Sequence, residues 1–167
     1  MSPLAELRWA DLPRPYRSLA RWLTFVQVVG YSTALLFVLR TTRMLPHGIV
    51  ERYRGSDSTA TEGAMQFPKS YAEMLTITHT HLLSMAVIFT FSGLGLLLCT
   101  RPSPRLKQFL VVEPFVALLV SFSSLWLIRY VDPRFSLLLA LSSFVMAGTF
   151  YLQSYLILAE VGWLEPK

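Results

Sequence analysis

The stretch FLVVEPFVALLVSFSSLWLI, residues 109–128, contains a single charged residue, Glu113. About 20 predominantly apolar residues are needed for an α-helix to cross the hydrocarbon core of a bilayer. Because no water is available there to hydrogen-bond the backbone, a lone segment of this length must satisfy its own peptide groups as a helix. The stretch therefore predicts a membrane-spanning helix.

Three further stretches have the same character, and they lie at about residues 22–39, 75–99 and 135–158. Hydrophobic residues make up 53% of the 167 residues and charged residues only 15%, whereas about a quarter of a soluble domain is charged. Trp and Tyr recur near the predicted ends, where an apolar ring with a polar tip is favoured. We predict an all-α integral membrane protein, a four-helix bundle, and we exclude a soluble domain.

The basic residues of the short connections predict the orientation of the bundle. Such residues favour the cytoplasmic side of a membrane. We therefore expect residues 1–21 to form a cytoplasmic arm, residues 22–167 the four-helix domain with a cytoplasmic C-terminus, and residues 40–74 an extracytoplasmic connection. The inner (cytoplasmic) membrane is the expected location. The seven residues that carry this prediction are Arg8, Arg14, Arg17, Arg21, Arg101, Arg105 and Lys107.

Several classes of partner and site are excluded by composition. The formal net charge is +5, but the 15 basic residues are scattered among connections rather than gathered into a stripe. Contact with lipid head groups explains them, and no nucleic-acid partner is expected. Cys99 is the only cysteine, so an internal disulfide and a Cys-rich metal site are excluded. The N-terminal arm lacks the apolar core and cleavage site of a secretory signal.

The strongest local feature is Thr78-His79-Thr80-His81 near the start of the second span. Ionisable groups within a membrane are functional candidates because they are costly to place without a partner. Residues two apart on a helix diverge by about 200°, so the two imidazoles point to nearly opposite sides. Met85 follows His81 by four residues and lies on its face.

Four interpretations of this pair remain open. A haem b would take an imidazole as axial ligand and needs a second ligand, for which His47, Met85 or a neighbouring subunit is available. A quinone carbonyl needs only one imidazole donor. Copper could be bound by His47, His79 and His81 with Met44, Met65 and Met74, since its reduced form favours imidazole and thioether ligands. The alternative is that both histidines are interfacial and bond to water, lipid or another chain.

A second polar group of residues is expected toward the cytoplasmic side of the bundle, and it comprises Gln27, Glu113 and Gln153. A carboxyl group in lipid is either protonated or paired, so Glu113 could belong to a proton path. The competing interpretation places it near the boundary, where it pairs with Lys107 or Arg105. Pro114 is expected in the first turns of its helix, where a missing amide donor matters least.

The connection 40–74 contains an amphipathic, arginine-bearing stretch at residues 48–55 that is too short to span a membrane. It fits an interfacial helix, a solvated loop or a docking surface for a partner. The residues expected to dock a partner are Glu51, Arg52, Tyr53 and Arg54.

Taken together, these features favour a non-catalytic subunit of a membrane complex over a stand-alone enzyme, because no hydrolytic, phosphate-binding or zincin motif is present. Our first hypothesis is a small subunit of a respiratory or photosynthetic electron-transfer complex that holds haem b or quinone near the outer face. An electron-transfer partner, soluble or membrane-bound, would meet it there. The alternatives are an accessory scaffold that packs against a larger membrane complex and binds lipid, and a copper-binding membrane protein.

The orientation is directly testable with reporter fusions. Four spans place both termini on one side, so a fluorescent protein at either terminus should be bright and an alkaline phosphatase at either terminus inactive. Phosphatase inserted into the connection 40–74 should be active. An active phosphatase fusion at the C-terminus would contradict the predicted orientation.

Overall fold

The computed structural model describes residues 7–56 and 65–162. These residues form five α-helices, which are α1 (Arg14–Thr42), α2 (Pro46–Arg54), α3 (Tyr71–Leu97), α4 (Pro104–Tyr130) and α5 (Phe135–Glu160). A 3₁₀ turn at Trp9–Asp11 precedes them. Helices α1, α3, α4 and α5 are long and apolar enough to cross a membrane. The prediction of an all-α protein with four spans is confirmed.

Helices α1, α3 and α4 begin earlier than the apolar stretches alone indicate, whereas α5 begins at Phe135, where its stretch begins. Helix α1 begins at Arg14, between Pro13 and Pro15, so it includes the last residues of the predicted arm. Proline favours a first helical turn because its fixed φ suits the helix and its missing amide has no intrahelical partner there. Helix α3 begins with a capping box between Ser70 and Glu73. Proline thus favours the start of α1, and the Ser70 cap that of α3.

Helices α4 and α5 form the best-packed pair of the bundle and run antiparallel. Small residues allow their backbones to approach, and the Ser121 and Ser142 hydroxyl oxygens lie 2.8 Å apart in a buried hydrogen bond. Helices α1 and α3 pack on this pair and remain more open. In the most apolar segment of each helix, 44% of residues are buried in α4 but only 11% in α1 and 22% in α3.

One end of the bundle gathers the N-terminal segment, the turn between α3 and α4, and the end of α5. The indole of buried Trp9 donates to the Gly95 carbonyl at 2.9 Å, and the Trp9 amide donates to Leu98. The Glu160 carboxylate accepts the Thr100 amide at 2.6 Å. The described part of the predicted arm is therefore docked on the bundle rather than separate from it.

The opposite end is covered by α2, which contacts α1, α4 and α5. Its Ile49 side chain is buried among the core residues. Gly48 is required at this contact, because a Cβ atom there would lie 2.1 Å from the Thr42 carbonyl oxygen at the end of α1. The Arg54 guanidinium donates to the Ile128 carbonyl near the end of α4 at 3.3 Å. The amphipathic stretch is thus a short helix that caps the bundle.

Cys99 provides a natural reporter for the docking of Trp9. Its buried thiol packs in a cluster with Trp9, Leu96 and Ile157. Burial raises the pKa of the Cys99 thiol to about 12, with the nearby Glu160 carboxylate as a smaller cause in the same direction. Since only the thiolate is strongly nucleophilic, this cysteine should react slowly.

We predict that a Trp9→Ala substitution accelerates the alkylation of Cys99 at about pH 8 by at least about tenfold. The substitution exposes the thiol to solvent and brings its pKa closer to the ordinary value. The rate is measured by mass spectrometry in mild detergent. Trp22→Ala is the matched control, since that side chain is 56% exposed, and it should leave the rate unchanged. Equal rates in Trp9→Ala and the parent chain would contradict the docked position of Trp9.

Candidate functional site

The two histidines of α3 lie more than two turns after the start of the helix, and both side chains are exposed on its surface. His79 and His81 are about 12 and 15 Å along the axis from Tyr71. The Nδ1 atom of His81 lies 2.9 Å from the Ile77 carbonyl oxygen, and its ring lies 5.8 Å from that of Phe122. His81 is therefore turned toward α4, whereas His79 lies on the other side of the helix and meets no hydrogen-bond partner among the described residues.

The residues proposed to complete a haem or copper site are not gathered around this pair. His47 is exposed on α2, and Met85 packs against the core of the bundle. Met74 is fully buried, while Met44 and Met65 are exposed. Within residues 7–56 and 65–162, no three His, Cys, Asp or Glu side chains lie together as a metal site. Binding of haem, copper or a quinone at these histidines stays a prediction.

Helix α3 carries a polar surface that faces away from its buried side. This surface, the outward α3 face, contains Thr76, His79, Thr80 and Ser84, all exposed, together with the exposed Leu83. The Thr76 hydroxyl donates to the Ala72 carbonyl at 2.9 Å, so its polar group is satisfied within the helix. Over the described ranges, the Thr80 hydroxyl has no such bond. Sequence analysis singled out the histidine but missed that threonines extend its face.

The residues expected to dock a partner on α2 are engaged within the chain. The Glu51 carboxylate accepts from the Ser56 hydroxyl at 2.8 Å. The Arg52 guanidinium lies 5.8 Å from the Phe37 ring centroid. Tyr53 is half-buried against the core, and Arg54 caps α4 as described above. Arg52, Tyr53 and Arg54 hold α2 on the bundle, Glu51 fixes the residue pair that follows α2, and partner docking through these four side chains stays a prediction.

Glu113 lies deeper in the bundle than its distance from the start of the apolar stretch suggests. Because α4 begins at Pro104, Glu113 is its tenth residue, about 14 Å from the helix start. Its Oε2 atom accepts a hydrogen bond of 2.5 Å from the Thr149 hydroxyl of α5. Lys107 instead donates to the Leu97 carbonyl. The expected pairing with Lys107 or Arg105 is therefore replaced by a contact between α4 and α5.

Pro114 also lies inside α4, not in its first turn as expected, again because the helix begins earlier. A proline in a helix interior leaves the carbonyl four residues before it without an amide donor. That carbonyl belongs to Leu110, and the Nε2 atom of Gln153 donates to it from α5. Gln153 is 1% exposed. This pairing of a proline with a distant glutamine was missed by sequence analysis, although Pro114 was the signal for it.

Gln27 is the third residue of the predicted polar group, and it faces a different helix. It is near the middle of α1, where its Oε1 atom accepts from the Ser92 hydroxyl of α3 at 3.4 Å. One turn further along α1, Tyr31 stacks on Phe150 and lies within electrostatic range of Glu113. The structure thus joins Glu113 and Gln153 across one helix pair and leaves Gln27 beside it.

The role of Gln153 is testable through its dependence on Pro114. Gln153→Leu should lower the free energy of unfolding by about 1–3 kcal/mol, because the Leu110 carbonyl is left unpaired. In a Pro114→Ala background the loss should be much smaller, since residue 114 then has an amide that bonds Leu110 within the helix. Unfolding in mixed detergent micelles measures both. Equal losses in the two backgrounds would contradict the assigned contact.

The family comparison agrees with this architecture. The model of a family described as a transmembrane helical domain, Aq_1264_TM, matches residues 43–164, which include all of α2, α3, α4 and α5. No match was found among curated proteins or among solved structures. On the extent of this match, the chain belongs to the Aq_1264_TM family of transmembrane helical domains.

Proposed function

We propose that this small membrane protein is a non-catalytic subunit of a larger membrane complex, packed against another membrane-embedded chain through the outward α3 face. The single observation that supports it most is the exposure of His79 and Thr80 well inside a membrane-spanning helix. The partner is expected to offer hydrogen-bonding groups at that depth.

Without a partner, lipid tails would surround the side chains of His79 and Thr80. Lipid tails offer no hydrogen bonds, so an unpartnered imidazole or hydroxyl in the hydrocarbon region is unfavourable. Lys and Arg can reach the head groups on long flexible stems, but a histidine about 12 Å from the helix start is too short to do so. A neighbouring helix with polar side chains removes the cost, and such bonds hold membrane helices together.

Composition distinguishes α3 from α1 as the surface that meets the partner. Both helices are largely exposed, and exposure alone does not separate contact with lipid from contact with protein. The exposed positions of α1 are mainly large apolar side chains such as Val26, Leu36 and Phe37, which suit lipid tails. The outward α3 face instead carries polar groups, so it suits a protein.

A second candidate function is electron transfer at α3, with haem b or a quinone held between one of its two histidines and the partner. The observation that favours it is that each imidazole has a ring nitrogen without a hydrogen-bond partner among the described residues. His79 meets no hydrogen-bond partner within the described ranges, and the Nε2 atom of His81 is similarly available while its Nδ1 atom contacts Ile77. One imidazole could ligate haem or donate to a quinone carbonyl, and the partner would supply the remaining ligand.

The proposed packing predicts an unusual combination of effects for His79→Leu and Thr80→Val. Each should weaken assembly in native membranes, about tenfold for His79→Leu, because a hydrogen bond across helices is lost. The isolated chain should be equally stable or more stable, since an apolar group replaces a polar one against lipid. Assembly is measured by native mass spectrometry in mild detergent, and stability by thermal unfolding of the same chain.

Thr76→Val is the matched control, because the same change is made one turn away on a hydroxyl that already bonds Ala72. It should leave assembly nearly unchanged. If His79→Leu assembles like the parent chain, the proposed packing is wrong. A visible spectrum before and after reduction of the same samples separates the second candidate: a b-type haem spectrum lost in His79→Leu or His81→Leu supports it, as does co-extracted quinone lost in them.

A further inference from the structure

We propose that Glu113 is a proton-binding site inside the bilayer, at which the hydroxyl group of Thr149 adapts its hydrogen bond to both protonation states of the carboxyl group. The site lies between α4 and α5 and is independent of the outward α3 face. Two observations support this site: the hydrogen bond between Thr149 and Glu113, whose direction can reverse, and the buried amide oxygen of Gln153 nearby.

Both residues lie near the middle of their helices. Glu113 is the tenth of 27 residues in α4, and Thr149 is the fifteenth of 26 in α5. Neither helix has an end closer than about 14 Å along the axis, which exceeds the roughly 5 Å by which a helix of about 40 Å extends beyond a hydrocarbon core of about 30 Å on each side. A carboxyl group at this depth cannot rely on water or head groups for its hydrogen bonds, so the protein must supply them.

The Thr149 hydroxyl has three acceptors within reach and only one hydrogen to donate. Its Oγ1 atom lies 2.5 Å from Oε2 of Glu113, 2.9 Å from the Met146 carbonyl and 3.1 Å from the Val145 carbonyl. Toward a carboxylate, Thr149 must be the donor. Toward a carboxylic acid, Glu113 donates and Thr149 turns its own hydrogen to Met146 or Val145. Both protonation states are therefore bonded without any movement of the helices.

A second observation points to a missing donor in the same region. Gln153 lies one helical turn after Thr149 and is almost completely buried, with a relative exposure of 1%. Its Oε1 atom nevertheless has no hydrogen-bond partner among the described residues. Its Nε2 atom is already used by Leu110, one turn before Glu113 on α4. An acceptor buried in this way calls for a hydrogen from an acid or a bound water. Because the proton of neutral Glu113 is donated to Thr149, the donor still required by this oxygen is a bound water at the same site.

The groups named below that face Glu113 are all uncharged or aromatic, so a bound proton is the simplest way to neutralise its carboxylate. From α1, Tyr31 is within electrostatic range, and from α5, Tyr151 is bonded through its hydroxyl to Ser32 at 2.7 Å. Helix α3 meets this part of α4 through the rings of Phe89 and Phe115. None of these groups is a cation, and in the described part of the chain the sole ion pair joins Lys69 to Glu73.

The test is an infrared titration of the full chain in phosphatidylcholine vesicles between about pH 4 and 9. A carboxylic-acid carbonyl band should disappear as the pH rises, and Glu113→Gln should lack it. Thr149→Val should shift the frequency of this carbonyl band, because the acid loses the hydroxyl that accepts its hydrogen. Thr33→Val is the matched control, since that hydroxyl bonds Val29 within its own helix, and it should leave the band frequency unchanged.

Identical spectra in Glu113→Gln and the parent chain would overturn the proposal, as would an unchanged band frequency in Thr149→Val. Loss of the band at constant pH when choline chloride is replaced by sodium chloride would overturn the proton as the resident ligand in favour of a metal cation. Labelling of the unmodified chain with a hydrophobic carbodiimide, which reacts with protonated carboxyl groups, avoids reliance on variants. Modification of Glu113 that increases as the pH falls supports the proposal, and modification independent of pH overturns it.

Discussion

The need to satisfy every backbone polar group without water governs this bundle, and the Leu110 carbonyl shows the constraint most directly. Pro114 removes the amide that would bond this carbonyl within α4, and the side chain of Gln153 replaces it from α5. A proline in a membrane helix is tolerated where a neighbouring helix re-satisfies the freed group. The contact joins the two best-packed helices and places a buried amide one turn from Thr149 and Glu113.

Sequence analysis predicted the spans because their length and apolarity are physical requirements of the bilayer, which act on each segment separately. The starts of the helices were harder to predict, because Pro13 and Pro15 start α1 among arginines and Ser70 starts α3 outside any apolar stretch. The site residues Glu113 and Gln153 were identified by their polarity alone. Their actual contacts depend on the register between α4 and α5, which no local pattern encodes.

The polar residues of the spans divide into two kinds. Ser121, Ser142, Thr149 and Gln153 bond across helices or to carbonyls and serve the packing of the bundle. His79 and Thr80 lie on the outward α3 face, where no described group meets them. Polar groups of the first kind explain the fold, and those of the second kind carry the proposed function. The distinction lies in orientation about the helix axis, which the run Thr78-His79-Thr80-His81 does not itself reveal.

The docking of Trp9 has a consequence for how the protein is made. Trp9 leaves the ribosome before any span, but its bonds to Gly95 and Leu98 require α3, and its cluster with Ile157 and Val161 requires α5. The indole therefore finds its complete binding site only after the last helix has been synthesised and inserted. Docking of the N-terminal segment is therefore a late event in biogenesis. A docked Trp9 indicates that α5 has already inserted and packed.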